Sequence, residues 1–313
     1  MTYRIDLTRR RVLAASAATA LAGLVPFSRE GYAADGPIRT RPIPHSGEQL
    51  PVVGIGTAII FDFENDPAKH AERRQVIQTL VAGGGRLIDT AHSYGRAEDR
   101  LGDVVADLGV RDKLFIATKF SFAASREAAT ASLQNSLRRL KTNRVDLMQA
   151  WNVSDANYDF GLLREWKQQG LCRYVGMTIS QQRSYEAIGK VLAREKPDFF
   201  QVDYSLGNRE AESMLLPIAR DVGAAVLTAL PFGRASMFRK AGGRPLPDFA
   251  AEFGAKTWAQ FFLKFLLSHP AVTAVIPGTD RPDYMLDNLQ AGRGPLPDTA
   301  MRKRMIQYWE SVG

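Results

Sequence analysis

The sequence is poor in the residues that build crosslinks and metal sites. Of 313 residues, Cys172 is the single cysteine, so no intramolecular disulfide can form and no thiolate metal site can be assembled. His45, His70, His92 and His269 are the four histidines, and no two have metal-ligand spacing, so no metal is expected. Long apolar runs are equally scarce. The run Val12 to Val25 is too short to span a bilayer, and no later run reaches about 18 residues, so no stable membrane insertion is expected. A basic stripe is missing too. The net charge is +8, and five arginines against Asp6 and Glu30 place +3 of it in residues 1–33. Elsewhere Lys and Arg are interleaved with Asp and Glu, which describes a solvated surface and argues against nucleic-acid binding. Finally, no Gly-x-Gly-x-x-Gly follows the first apolar run: Gly54-Ile55-Gly56 lacks the third glycine, and Gly83-Gly84-Gly85 precedes a strand pattern.

What is present begins with an address. Thr8-Arg9-Arg10-Arg11-Val12-Leu13 leads into the Ala-rich run, followed by Pro26 and the small residues Gly31 and Ala33. A basic region, a short apolar stretch and a small-residue cleavage site make a secretory signal over residues 1–33. The arginine pair before a weakly apolar run resembles a twin-arginine (Tat) signal. The expectation is export to the periplasm through the Tat translocase; the alternative is an N-terminal amphipathic helix that stays attached.

Residues 34–50 are polar and proline-rich and read as an exposed lead-in with a turn at His45-Ser46-Gly47-Glu48. From Pro51 to the end, β-branched apolar runs alternate with helical periodicity. Strands are expected at Val52–Ala58, Arg86–Thr90, Leu114–Lys119, Val145–Trp151, Tyr174–Ile179, Phe199–Tyr204, Ala225–Leu230 and Val272–Pro277. Helices are expected at Ala71–Ala82, Arg126–Leu140, Tyr158–Gln169, Gln182–Glu195, Glu210–Asp221 and Lys256–Ser268. Eight strands alternating with helices imply parallel strands closed into a (β/α)8 TIM barrel over residues 51–313, with a doubly wound open sheet as the alternative. The segment Gly233–Phe249, rich in Gly, Pro and Arg, reads as a long loop after the seventh strand.

In such a barrel, chemistry sits at the C-terminal ends of the strands. There the sequence offers Asp89 and Tyr94 after strand two, Lys119 on strand three, Trp151 and Asn152 after strand four, Gln201 and Tyr204 on strand six, and Pro277-Gly278-Thr279 after strand eight. A phenol beside an ammonium is expected to have its pKa lowered and to donate a proton to a carbonyl oxygen, while a carboxylate keeps the ammonium charged and oriented.

Several segments, taken in order, resemble the aldo-keto reductases. Ser46-Gly47-Glu48-Gln49-Leu50-Pro51-Val52-Val53-Gly54-Ile55-Gly56-Thr57 is similar to that family's opening hairpin and first strand. Asp89-Thr90-Ala91-His92-Ser93-Tyr94-Gly95 is similar to its Asp-Thr-Ala-x-x-Tyr-Gly signature, and Ala117-Thr118-Lys119, Gln201-Val202-Asp203-Tyr204-Ser205 and Ile276-Pro277-Gly278-Thr279 with Asn288 continue the likeness. The resemblance implies NADPH-dependent reduction of aldehydes and ketones. It makes Tyr94 the general acid, Lys119 the group that lowers its pKa and Asp89 the partner of Lys119. It implies that Gln201 binds the nicotinamide carboxamide, that Asn288 and the Pro277–Thr279 turn hold the adenosine end, and that Gly56, Thr57, Asn152 and Thr178 also contact the cofactor.

Departures from the pattern sharpen the expectation. Trp151 stands where the family has a catalytic histidine, and an indole N–H donates one hydrogen bond but does not titrate. Gly176-Met177-Thr178-Ile179-Ser180 replaces a Ser-Asn pair, and Thr228 aligns with an aromatic position on strand seven. Gly278 and Tyr284 stand where members that prefer NADPH carry Lys and Arg, which leaves NADH open, with Arg281 and Lys303 as other groups for the 2′-phosphate. His92 reads as a loop histidine and Cys172 as a packing residue. A binding or sensing protein on a reductase scaffold is the alternative to a working reductase.

Overall fold

The computed structural model describes residues 36–121, 125–179 and 185–312. The export signal expected over residues 1–33, Ser180 and the start of the helix expected at Gln182 lie outside the described residues.

The lead-in folds as an antiparallel hairpin, β1 (Thr40–Pro42) and β2 (Gln49–Pro51), with Arg41 opposite Leu50. Its turn falls where expected: the N–H groups of Ser46 and Gly47 both donate to the Ile43 carbonyl, and Gly47 has φ +74°. The hairpin is not an exposed appendage. Ile43 and Leu50 are buried in the barrel core with Phe115, Tyr174 and Phe199, and Glu48 accepts hydrogen bonds from Arg86 (3.0 Å) and the Tyr174 hydroxyl (2.7 Å). Apolar burial and paired charge thus hold it against the N-terminal end of the barrel.

Eight parallel strands follow: β3 (Ile55–Gly56), β4 (Leu87–Asp89), β5 (Phe115–Phe120), β6 (Val145–Ala150), β7 (Cys172–Ile179), β8 (Phe199–Asp203), β9 (Ala225–Ala229) and β10 (Val272–Val275). Each pairs with its neighbour in chain order, and bridges Val53 to Val275 and Gly56 to Gly278 close the seam between β3 and β10. All eight expected strands are present in a TIM barrel. Inward-facing Leu87, Phe115, Ala117, Leu147, Tyr174, Phe199, Ala225, Leu227, Ala274 and Ile276 form one apolar cluster, each large side chain stabilising by about 1.5–3 kcal/mol. Gly54 is required by closeness: a Cβ there would lie 2.8 Å from the Leu87 Cβ.

The helices are α1 (Pro67–Ala82), α2 (Ala97–Leu108), α3 (Arg126–Arg139), α4 (Gly161–Gln168), α5 (Tyr185–Glu195), α6 (Leu215–Asp221), α7 (Ser236–Ala241), α8 (Trp258–Leu267), α9 (Pro282–Gln290) and α10 (Thr299–Ser311). Side chains of Asp66, Ser125, Thr257 and Asp298 cap the first turns of α1, α3, α8 and α10. The helix expected from Glu210 instead begins as a short 3-10 segment, Glu210–Ser213, and α6 starts only at Leu215. Pro217 explains this, since a proline lacks the N–H needed inside a helix and fits only its first turn. The helix expected from Tyr158 begins at Gly161, where Asp159 accepts from the Gly161 N–H at 2.8 Å.

Two further expectations need correction. The long segment Gly233–Phe249 is ordered: it contains α7, and Phe232, Phe238, Phe262 and Trp309 form a chain of ring contacts at 4.8, 5.7 and 5.1 Å. Tyr204 does not reach the rim. It is fully buried, donates to Glu212 and accepts from Arg302 of α10 at 2.9 Å, because it lies one residue beyond Asp203 and faces the helices. Among the described residues, no helix is long and apolar enough to cross a membrane.

Candidate active site

Alternation along the strands sets a polar layer above the apolar one. Asp89 follows Leu87, Lys119 follows Ala117, Gln149 follows Leu147 and Gln201 follows Phe199, so all four point inward near the C-terminal end. Their hydrogen bonds converge on Asp89. Lys119 Nζ donates to Asp89 Oδ2 at 2.6 Å, Gln201 Nε2 to Oδ2 at 3.2 Å and Gln149 Nε2 to Oδ1 at 3.2 Å. A buried carboxylate is tolerable only when satisfied in this way.

Lys119 also donates to the Thr90 carbonyl at 2.9 Å, and its nitrogen lies 5.1 Å from the centre of the Tyr94 ring. Burial alone pushes the Lys119 ammonium toward neutrality, but the Asp89 carboxylate and Tyr94 outweigh it and hold its pKa above the ordinary lysine value. For Tyr94 the expectation reverses. Burial raises the phenol pKa, and the opposing Lys119 charge only partly offsets it, so the net shift is upward. The phenol is therefore firmly protonated at neutral pH. Desolvation wins because Asp89 already compensates the lysine charge.

The Tyr94 turn carries a second contact set. His92 donates from Nδ1 to the Lys119 carbonyl at 3.0 Å, its Nε2 lies 3.2 Å from the Ser121 hydroxyl, and its ring meets Trp151 edge-on with centroids 5.9 Å apart. A carbonyl only accepts, so Nδ1 carries the hydrogen. Trp151 is half-buried just past β6. Asn152 next to it has φ +49°, a conformation asparagine tolerates, and its N–H donates to Thr178 Oγ1 at 3.0 Å. Ile179 alternates to the helix side, as does Thr228, which follows the inward Leu227; the inward residue at the end of β9 is Ala229, so Thr228 does not occupy a lumen-facing position.

At the seam, Gly56 donates to the Pro277 carbonyl at 3.2 Å and Thr57 to the Asp89 carbonyl at 2.9 Å. A Cβ on Gly56 would press on the Ile276 carbonyl at 3.0 Å, whereas one on Gly278 would meet only Gly56 O at 3.8 Å. Thr279 and Asn288 are buried, the latter two turns into α9. Arg281 at the start of α9 is engaged by Asp283 through two hydrogen bonds of 3.0 and 2.7 Å and stacks on Tyr284, its guanidinium 4.6 Å from the ring centre. Lys303 is exposed on α10. The structure thus groups Asp89, Tyr94, Lys119 and Gln201 in one cluster and pairs Asn152 with Thr178 and Gly56 with Pro277 and Gly278.

Two residues join the site that were not among its expected members. Gln149 shares the buried strand β6 with Asp146, and its inward register with Leu147 brings it to Asp89. Arg73 lies in a charged stretch of α1, and its role depends on contacts from the far end of the chain. Cys172 is buried, and burial pushes its thiol up to about 12, consistent with packing. Among the described residues no group of three His, Cys, Asp or Glu side chains is arranged to hold a metal ion.

A closed parallel barrel with an acid, an amine and a phenol interlocked at its C-terminal rim is the architecture of a (β/α)8 enzyme. The chain belongs to the aldo/keto reductase family, whose model matches residues 52–305. It is 26% identical to a probable aldo-keto reductase of Glycine max, over 85% of this chain and 86% of that one. An aldo-keto reductase of Klebsiella pneumoniae solved with NADPH superimposes with a TM-score of 0.73 at 22% identity, covering 87% of this chain and 95% of the other. A thermostable aldo-keto reductase solved with the inhibitor epalrestat matches with a TM-score of 0.71 at 28% identity, covering 88% of this chain and all of the other.

Proposed function

We propose that this chain reduces an aldehyde, ketone or quinone carbonyl to an alcohol with a nicotinamide cofactor and Tyr94 as proton donor. The observation that carries the reading is the buried Asp89–Lys119 pair with the Tyr94 ring beside the same ammonium. Tyr94 gives its proton to the carbonyl oxygen as charge develops there, and Lys119, kept charged by Asp89, stabilises the phenolate left behind. Trp151, replacing the family's histidine, acts as a pocket wall whose indole N–H can orient a carbonyl.

The residues fit a dinucleotide. Gln201 Oε1 is buried with no partner among the described residues while its Nε2 is committed to Asp89, so it is free to accept from a carboxamide N–H. Thr57 Oγ1 is likewise unpartnered, and Gly278 has no side chain to obstruct close approach to the Pro277–Thr279 turn. Gly56, Asn152, Thr178 and Asn288 complete the proposed contacts. The cofactor bound there supplies a hydride to the carbonyl carbon. NADPH is the expectation from the family and from the Klebsiella pneumoniae relative solved with it; NADH stays open because Arg281 is already paired with Asp283.

Export through the Tat translocase remains part of the proposal, on the strength of Thr8-Arg9-Arg10-Arg11 and the short apolar run after it. That route carries folded proteins, and so a bound cofactor with them. A second reading, an exported binding or sensing protein with negligible turnover, is favoured by one observation: Trp151 leaves that position without a titrating group.

The deciding experiment is a titration of the mature protein from Ala34 onward with NADPH and NADH, read by tryptophan quenching, followed by a carbonyl screen. Micromolar binding with turnover that disappears in Tyr94→Phe supports the reductase. Binding without turnover supports the second reading, and no binding at millimolar cofactor overturns the reductase reading and leaves a barrel whose ligand is not a nicotinamide dinucleotide.

A further inference from the structure

We infer that Arg73, a residue outside the catalytic cluster, is a positioning residue that ties together the two rim loops flanking the proposed dinucleotide groove; the inference rests on the cofactor reading above. Arg73 stands on α1 and is 5% exposed. Its Nε donates to the Ile60 carbonyl at 2.7 Å and its Nη1 to the Asp280 carbonyl at 2.6 Å. Those two acceptors lie in different walls. Ile60 belongs to the loop that leaves β3 just past Gly56 and Thr57, and Asp280 follows the Pro277–Thr279 turn that leaves β10.

The brace sits beside the seam that closes the barrel. There the segments carrying β3 and β10 meet through the bridges Val53–Val275 and Gly56–Gly278 and through the Val275, Gly54 and Gly56 N–H groups, which donate to the Val52, Val275 and Pro277 carbonyls. A planar guanidinium presents several donors in a rigid fork, so one side chain can satisfy two carbonyls from separate segments, which the point charge of a lysine does less well. Glu72 neutralises the Arg73 cation at 2.6 Å, and the Phe63 ring packs 5.9 Å from its guanidinium carbon. The charge is thus occupied, and Arg73 works by holding backbone in place. Arg100 secures the same loop from α2 by donating to the Phe63 carbonyl at 3.0 Å.

Functionally, a groove whose walls are already fixed costs less ordering on binding and releases its ligand more slowly. That property suits a cofactor carried through export with the folded protein. Arg73 adds a second tie, beyond the Gly56–Gly278 bridge, between the segments that carry Thr57 and Thr279.

The test compares the mature wild-type protein with Arg73→Met and Arg73→Lys, measuring NADPH affinity, its dissociation rate by stopped-flow fluorescence, and thermal midpoint. Loss of two hydrogen bonds to fixed carbonyls is expected to weaken NADPH by about tenfold, mostly through faster release, with Arg73→Lys intermediate. The KM for the carbonyl is expected to move much less than that for NADPH. A lowered midpoint with unchanged NADPH affinity and release would mean a purely structural arginine and overturn the inference. If Arg73→Met does not fold, Arg73→Lys and hydrogen exchange on the unaltered protein decide: NADPH is expected to protect residues 57–63 and 277–281 together, and protection of one segment alone counts against the brace. Absence of NADPH binding to the wild type would fail the cofactor reading itself, a different outcome from equal binding by wild type and variant.

Discussion

Lys119 and Asp89 meet at 2.6 Å with side chains only 2% and 3% exposed, so each buried charge depends on the other. Removing one partner strands the second in a medium that disfavours it. Asp89→Asn and Lys119→Met are each expected to lose about 3 kcal/mol of stability or more, while the double variant recovers a large part of that loss. Chemical denaturation of the four proteins in a double-mutant cycle checks this. Additive losses would mean that the two side chains are held independently by Gln149, Gln201 and Thr90.

Tyr94→Phe removes the proposed acid but keeps the ring against the Lys119 ammonium. Carbonyl reduction is expected to fall by about 10²- to 10⁴-fold, with cofactor affinity little changed. The pH profile carries the sign of the Tyr94 shift. A proton donor works in its protonated form, and burial places the Tyr94 pKa above its ordinary value near 10. Reduction is therefore expected to hold through mildly alkaline pH and to fail only above about pH 10. An alkaline limb with its midpoint below pH 9 would show that Lys119 outweighs burial in the working enzyme.

The strands were legible because burial on both faces demands runs such as Phe199-Phe200-Gln201-Val202, and the cluster because Asp89, Tyr94 and Lys119 fall in ordered motifs at strand ends. Facing was harder to read. Tyr204 and Thr228 each stand one residue from an inward position, and a one-residue difference along a strand reverses the side chain. Pairings across the chain left no local trace at all: Gln149 reaches Asp89 over 60 residues and Arg73 reaches Asp280 over 207. The late start of α6 was available in principle, since Pro217 is in plain sight, but helical periodicity continues through it.

Cofactor choice turns on whether Arg281 is available. Asp283 engages both its Nε and one terminal nitrogen, so a 2′-phosphate approaching Arg281 also meets a carboxylate. Asp283→Asn is expected to shift the ratio of NADPH to NADH affinity toward NADPH by roughly threefold, a modest effect because the pair is exposed and screened. Paired titrations at low and high salt check it, and the gain is expected to shrink as salt rises. An unchanged ratio at low salt would remove Arg281 from the cofactor site.

Trp151→His places a titrating imidazole at the end of β6 and separates the two functional readings. In a working pocket the indole is part of the wall: its ring abuts His92, which holds the Lys119 carbonyl, and its backbone N–H is fixed to the Phe120 carbonyl at 2.9 Å. Replacing the indole by a smaller ring opens space beside His92 and frees it to move. Activity is therefore expected to fall, by about tenfold in kcat/KM, with most of the loss in KM if Trp151 orients the carbonyl. The comparison requires the same carbonyl and saturating cofactor for both proteins. A gain of 10²-fold or more would instead identify the indole as the block on an otherwise complete site, and the binding or sensing reading would then displace the reductase.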